Sequence, residues 1–227
     1  NLVTITNTKG QAITYDNLAS AYKSIADSAL KKGNEKISEK YRKKFVNALE
    51  KSLKLHRKIG YENGIAFNYL NFAIYHLQIK EFDKAQEYIH QSLVLHEKLN
   101  DITGIANCSI LQGELLLEKG NPTQALPYLE RGLALTEESE SVSDINKAAK
   151  LLWQTYKLLH QPAKALEMFE RHIQISDSIE SETNQKEIFR QEFKYQYETQ
   201  AAKDSIKTAE EKKVIDAQNA QQEAEIK

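Results

Sequence analysis

The stretch that decides the fold is Glu81-Phe82-Asp83-Lys84-Ala85-Gln86-Glu87-Tyr88, because related stretches follow at a fixed distance. Counting 40 residues on from Ala85 reaches Ala125 in Asn121-Pro122-Thr123-Gln124-Ala125-Leu126-Pro127-Tyr128. The same step again reaches Ala165 in Gln161-Pro162-Ala163-Lys164-Ala165-Leu166-Glu167-Met168. A fixed period of this size is typical of stacked helical units that bury their apolar faces only against their neighbours.

Two further pairs of segments share the period of 40. Ser52-Leu53-Lys54-Leu55-His56-Arg57-Lys58 matches Ser92-Leu93-Val94-Leu95-His96-Glu97-Lys98, so the repeat begins before the opening stretch. Gly64-Ile65-Ala66 and Gly104-Ile105-Ala106 each open a helix after a short polar turn. Small residues at these positions allow neighbouring helices to approach closely.

The sequence predicts an all-α protein, with few Pro and Gly and much Ala, Leu, Lys, Glu and Gln. Residues 1–13 are β-branched and polar and predict an extended lead-in. Residues 177–227 contain no Pro or Gly and predict one long helix, which could form a coiled coil leading to a membrane segment. Residues 14–176 predict four helical hairpins, with approximate bounds of 14–60, 61–100, 101–140 and 141–176.

Composition excludes several classes of function. A net charge of -1 gives no global reason to expect nucleic acid, which requires a basic surface. The single cysteine, Cys108, rules out an intramolecular disulfide and any site with several cysteines. No run approaches the roughly 20 apolar residues of a membrane span. Since the chain begins without Met and ends on a polar run, we expect a fragment whose membrane segment lies outside it.

Helical positions within the repeats carry a family pattern. The first helix of the second repeat has Tyr69, Phe72, Ala73 and His76, and the second helix has Ala85, Ile89 and Ser92. The fourth repeat has Ala149, Leu152, Trp153 and Tyr156, then Ala165, Phe169 and His172. These positions resemble tetratricopeptide repeat (TPR) proteins, although Gln112, Trp153 and His172 depart from the pattern.

The resemblance implies a right-handed superhelical α-solenoid that binds proteins or peptides. The usual repeat has about 34 residues, and a period of 40 with Gly-Ile-Ala openings resembles a longer-helix variety in bacterial signalling proteins. The tail, with Phe193-Lys194-Tyr195-Gln196-Tyr197-Glu198 and Glu210-Glu211-Lys212-Lys213, resembles the segment that joins such repeats to a membrane helix. In those membrane-anchored sensors, a histidine kinase, nucleotide cyclase or DNA-binding domain provides the output.

The family's ligand surface is lined by the first helix of each hairpin. Its positions correspond here to Lys23, Ser24, Asp27, Leu70, Asn71, Ile74, Gln78, Ile110, Leu111, Glu114, Lys147, Lys150, Leu151, Gln154 and Lys157. Asn71 with Lys147 and Lys150 suggests capture of a peptide carboxylate. The complete set of basic and amide residues that clamps a terminal carboxylate in some family members is absent.

Metal and enzyme chemistry find little support in the sequence. His56 and His96 occupy equivalent repeat positions, which favours a role in helix packing or at helix ends, and no metal-ligand spacing lies on one helix face. There is no glycine-rich phosphate loop and no nucleophile elbow. We therefore expect no catalytic residue, metal or cofactor in this chain, although an attached output domain could be an enzyme.

Aromatic residues form a stripe in the tail. Phe189, Phe193 and Tyr197 fall at i, i+4 and i+8, and Ile206 continues a broken heptad. The stripe predicts either a cap on the last repeat or a parallel homodimer.

Together, these patterns favour a peptide-binding sensor module of a membrane-anchored bacterial signalling protein, with its output domain outside this chain. We expect a periplasmic or extracytoplasmic location, with the cytoplasm as the alternative. The competing hypothesis is a free-standing TPR scaffold or cytosolic regulator that pairs with a partner through its C-terminal helix.

Overall fold

The computed structural model describes residues 2–179 and the positions 203, 207 and 212. Its described residues form eight helices and no strand, which confirms the all-α class. The helices are α1 Leu2–Lys31, α2 Glu35–Ile59, α3 Glu62–Gln78, α4 Phe82–Lys98, α5 Ile102–Glu118, α6 Pro122–Glu138, α7 Val142–Leu158 and α8, residues 162–179. Consecutive helices pair as hairpins in a TPR-like α-solenoid.

The chain divides into two compact units. Asn1–Ile173 contains α1 to α7 and the first part of α8. In Gln174–Lys227, residues 174–179 and positions 203, 207 and 212 are described, and all are helical. The proposed tail residues Phe189, Phe193, Tyr197 and Ile206 lie outside the described residues, so their role stays a prediction. Among the described residues, no helix combines the length and apolar character needed to cross a membrane.

A left-handed backbone residue follows each helix from α2 to α7. These residues recur every 20 positions: Gly60, Lys80, Asn100, Gly120, Glu140 and His160. Positive φ takes the chain out of the helix and allows the next one to run back. Side-chain caps then start some helices, since Asn34 accepts from the amide of Ile37 and Asp101 from that of Gly104.

The predicted extended lead-in over residues 1–13 is wrong, because α1 begins at Leu2. The reason is tertiary packing, because α2 is 25 residues long and α1 extends along it. Ala12 is fully buried, and its carbonyl oxygen lies 3.2 Å from Ser52 Oγ of α2. Packing against α2 therefore outweighs the modest helix propensity of the β-branched residues.

The core consists of successive clusters along the solenoid. Phe45 and Leu49 pack with Phe72, and the later clusters are built around Leu115 and Leu129. Ala85 and Ala125, the repeated alanines, are fully buried. Their small side chains allow paired helices to meet.

At the first two joints between hairpins, a buried histidine lies against a glycine of the following helix. His56 is fully buried and His96 is 5% exposed. A Cβ on Gly64 would lie 2.5 Å from the His56 ring, and one on Gly104 would overlap the His96 ring. The predicted packing role of the two equivalent histidines is confirmed.

We expect Gly104→Ala to lower the free energy of unfolding by about 1–3 kcal/mol, because the added methyl displaces the His96 ring. Gly10→Ala is the matched control: Gly10 is also helical, and nothing lies within 4 Å of its added Cβ. That change should stabilise the protein by about 0.5–1 kcal/mol. Urea unfolding measures both values, and equal shifts would contradict a steric role for Gly104.

Candidate binding groove

The first helices of the four hairpins, α1, α3, α5 and α7, surround a cavity of about 500 Å³, termed cavity 1. Lys23 and Asp27 come from α1, and Lys147 comes from α7. Between them lie residues from α3, α5 and the turn that follows α3: Ile74, Leu77, Gln78, Lys80, Leu111, Glu114 and Glu118. Because residues distant in sequence meet here, the cavity depends on the stacking of all four hairpins.

A second cavity, cavity 2, adjoins the first. It measures about 570 Å³ and is lined by α1 and α3, including Phe67 and Asn71. Lys23 and Asp27 line both cavities. Cavities 1 and 2 therefore form one surface, termed the groove, along the first helices of the hairpins.

The fold brings only some of the predicted ligand residues into the same cavity. Asn71 lines cavity 2, while Lys157 lines a different cleft between α7 and α8. Lys150 and Gln154 are exposed but line none of these three cavities. The members that meet in cavity 1 are Ile74, Gln78, Leu111, Glu114 and Lys147. Their role in binding a ligand stays a prediction.

Two other predicted groove positions are core residues. Ile110 is 1% exposed and packs in the cluster of Leu129, and Leu151 is buried in the same cluster. Helical periodicity places them beside groove residues, but it does not determine how deeply the neighbouring helix covers them.

The sequence prediction also missed lining residues. Glu118 lies one helical turn after Glu114, and Phe67 lies one turn before Asn71, so the i+4 spacing could have identified both. Lys80 was not detectable from helical spacing, because it lies in the turn after α3 with a φ of 60°.

Charged side chains of both signs line the groove, and two of the carboxylates have close polar partners. Lys147 Nζ lies 2.7 Å from Glu114 Oε2, and Gln78 donates a 3.4 Å hydrogen bond to Asp27. Burial lowers the pKa of Lys23 by removing water from its ammonium group. The carboxylates of Asp27 and Glu114 oppose that shift, and the Lys147 charge adds to it.

These contacts do not favour the carboxylate clamp. Lys147 is paired with Glu114, and the Asn71 amide donates to the Phe67 carbonyl at 3.0 Å. Asn71 and Lys147 line different cavities of the groove, and Lys150 lines neither of them.

A buried polar cluster joins α1, α2 and α3. Asp16 accepts from Ser52 Oγ at 2.5 Å and from Asn68 Nδ2 at 3.0 Å, and lies 2.8 Å from His56 Nε2. Ser52 donates to the carboxylate rather than to the imidazole, so the three groups lack the order of a nucleophile, base and orienting acid. The geometry is that of a structural network between helices.

Neither metal chemistry nor thiol chemistry is indicated in the described part of the chain. It contains no group of three or more His, Cys, Asp or Glu side chains that could hold a metal ion. Burial raises the pKa of the Cys108 thiol to about 11, against a weaker lowering by its contact with Ser92. The thiol is therefore protonated at neutral pH and a poor nucleophile.

We expect Lys23→Met to raise Tm by about 2 °C at pH 7, because it removes a charge that burial disfavours. The folded-state pKa of Lys23 lies below its ordinary value of 10.5. As pH rises through that folded pKa, the native protein loses the disfavoured charge. The advantage of the variant should therefore shrink toward pH 10.

Thermal unfolding from pH 7 to pH 10 tests this expectation. The exposed Lys54, changed to Met, is the control and should show no such trend. A lower Tm for Lys23→Met at pH 7 would instead mean that Asp27 and Glu114 require the Lys23 charge.

Comparison with known proteins supports the fold. A family model described as tetratricopeptide repeat matches residues 64–138. The crystal structure of BtubC (BKLC) from P. vanneervenii is similar with a TM-score of 0.53 and 20% identity, covering 73% of this chain and 66% of that chain. This chain thus spans slightly less than two thirds of that relative. The crystal structure of MamA protein has a TM-score of 0.41 and 17% identity, covering 71% and 93% of the two chains.

A comparison with curated proteins found no match. The repeat model covers α3 to α6, and the likeness to BtubC extends the shared architecture over most of the chain. The repeat match over residues 64–138 and the likeness to BtubC, together with the helical hairpins, support a TPR-like solenoid fold.

Proposed function

We propose that the groove binds an extended segment of a partner protein, so that this chain acts as a protein-interaction module. The observation that carries the proposal is the continuity of cavities 1 and 2 through Lys23 and Asp27. A continuous surface across several helices suits an extended chain better than a compact ligand, and repeat proteins commonly use such surfaces.

The lining indicates which segment would fit. Phe67, Ile74 and Leu77 provide apolar contacts between the charged groups. Because Lys147 and Glu114 already neutralise each other, a ligand with a single strong charge would have to break that pair. A segment that alternates apolar residues with both signs of charge matches the groove and leaves the pair intact.

Peptides that are selected from a displayed random library for binding to the full chain would test the groove. Asn71→Arg combined with Gln78→Arg should weaken the selected peptides by about tenfold or more, because both side chains line the groove. Val94→Arg is the control, since Val94 is 50% exposed on α4 and lines neither cavity.

Isothermal titration calorimetry measures these affinities. Peptides that bind the double variant as tightly as the unchanged protein would contradict the groove. Loss of binding in Val94→Arg would instead move the interaction to the second helices of the hairpins.

We also infer, from the resemblance of the tail, that the chain is the sensor part of a membrane-anchored bacterial signalling protein. A groove ligand would act by binding two states of the repeats with different affinity.

We propose an extracytoplasmic location, with the cytoplasm as the alternative. A free-standing scaffold or cytosolic regulator remains the second candidate, supported by the same Phe189, Phe193 and Tyr197 stripe if it pairs with a partner helix.

The coding sequence after Lys227 distinguishes the two. About 20 apolar residues followed by an output domain support the sensor, and a stop codon supports the scaffold. If the tail pairs two copies of the chain, light scattering at micromolar concentration should give a dimer, and a monomer would contradict pairing.

A further inference from the structure

The last hairpin contains a cleft that is distinct from the groove. It lies between α7 and α8 and has a volume of about 480 Å³. Its apolar wall is formed by Trp153, Pro162, Leu166 and Phe169. Leu166 is 56% exposed and Phe169 is 37% exposed, so this wall is open to solvent along α8. Clustered exposed apolar side chains of this kind mark interaction sites.

The cleft follows from one change in the repeat. Forty residues before Trp153 and Phe169 stand Gly113 and Leu129, where the missing Cβ of the glycine leaves room for the leucine. A Cβ at Gly113 would lie only 2.5 Å from Leu129, which is fully buried. In the last hairpin, two large rings occupy these positions, with centroids 4.9 Å apart at 52°. The two rings cannot pack as closely as the glycine and the leucine do, and the cleft lies beside them.

The polar side chains that line the cleft are all hydrogen-bond donors. They are Lys157, His160 and Gln161. Each can donate a hydrogen bond, and Lys157 carries a positive charge. No carboxylate is among the residues that line the cleft. The groove differs, because its residue Lys147 is paired with Glu114.

We propose that this cleft is a second docking site, which takes a partner segment with a bulky apolar side chain flanked by carboxylates. The apolar side chain inserts between Trp153, Leu166 and Phe169. The neighbouring carboxylates accept from Lys157 and His160. Charge complementarity selects an acidic flank over a basic one, and the aromatic wall provides the kind of contact that dominates binding energy at interfaces.

Trp153 allows a direct test, because it is the only tryptophan in the chain. The probe is a synthetic acetylated and amidated peptide, Gly-Glu-Glu-Phe-Ser-Ser-Leu-Glu-Glu-Gly, titrated into the full chain. Binding should shift the Trp153 emission in a saturable way. A peptide with Lys in place of each Glu should bind about tenfold more weakly or not at all.

Surface variants locate the interaction without disturbing the core. Leu166→Glu and Lys157→Glu should each weaken the acidic peptide by about tenfold. Leu158→Glu is the matched apolar control, since Leu158 is 58% exposed and does not line the cleft. Lys54→Glu on α2 is the matched charge control. Both controls should bind like the unchanged chain.

Three outcomes would overturn the proposal. One is an emission that the acidic peptide does not change, and another is equal binding of the acidic and basic peptides. The third is self-association of the full chain that Leu166→Glu abolishes in light scattering, because a second copy would then occupy the cleft.

Discussion

The solenoid depends on how each hairpin meets the next, and two of these joints use a buried imidazole against a glycine. His56 with Gly64 and His96 with Gly104 are the same joint one repeat apart. Both rings are anchored by carboxylates, with His56 Nε2 at Asp16 and His96 Nδ1 at Asp101. Each ring therefore spaces the two helices of its joint. The polar contacts differ, because Asp16 connects His56 to α1, whereas Asp101 connects His96 to the start of α5.

Helix separation at these joints determines where the groove can form. The groove residues Asp27, Gln78 and Glu114 belong to three successive first helices, and no single hairpin contains more than one of them. Their mutual distances are therefore set by the stacking of the hairpins. The same stacking buries Lys23 enough to lower its pKa while keeping two carboxylates close to it.

The sequence predicts the repeat well because a period of 40 reflects equal helix lengths and equal turns. The buried alanines at positions 85 and 125 follow from that pattern. The start of α1 does not, since Ala12 becomes helical through a partner that lies 40 residues later. Local propensity contains no information about such a partner.

The candidate site is less predictable for a related reason. Periodicity assigns a residue to a helix face, but burial depends on the neighbouring helix. Ile110 and Leu111 are adjacent in sequence and both buried, yet only Leu111 also lines cavity 1. Lys157 occupies a predicted groove position but lines the cleft, together with the contacting rings of Trp153 and Phe169. A residue that the family pattern assigns to the groove therefore lies in a different cleft, beside a position that departs from the repeat.

The joints are not uniform along the solenoid. Thr136 stands where His56 and His96 stand in the earlier repeats, and Asp144 takes the place of Gly64 and Gly104. Here Asp144 accepts from Ser141 at 2.7 Å, and no imidazole is available at position 136. The entry to the fourth hairpin therefore uses different chemistry from the two joints before it.

The energetics of a repeat array make the fourth hairpin the natural place for such differences. Stability in a solenoid is approximately a sum of terms for single repeats and for neighbouring pairs. A large ring at position 153 alters the contact within one hairpin, whereas the same ring at Gly113 would strike Leu129 in the middle of the array. Apolar surface at Leu166 and Phe169 is already in water, so a ligand that covers it gains free energy without first separating packed helices. The fourth hairpin can therefore depart from the repeat pattern while the inner joints keep the groove in place.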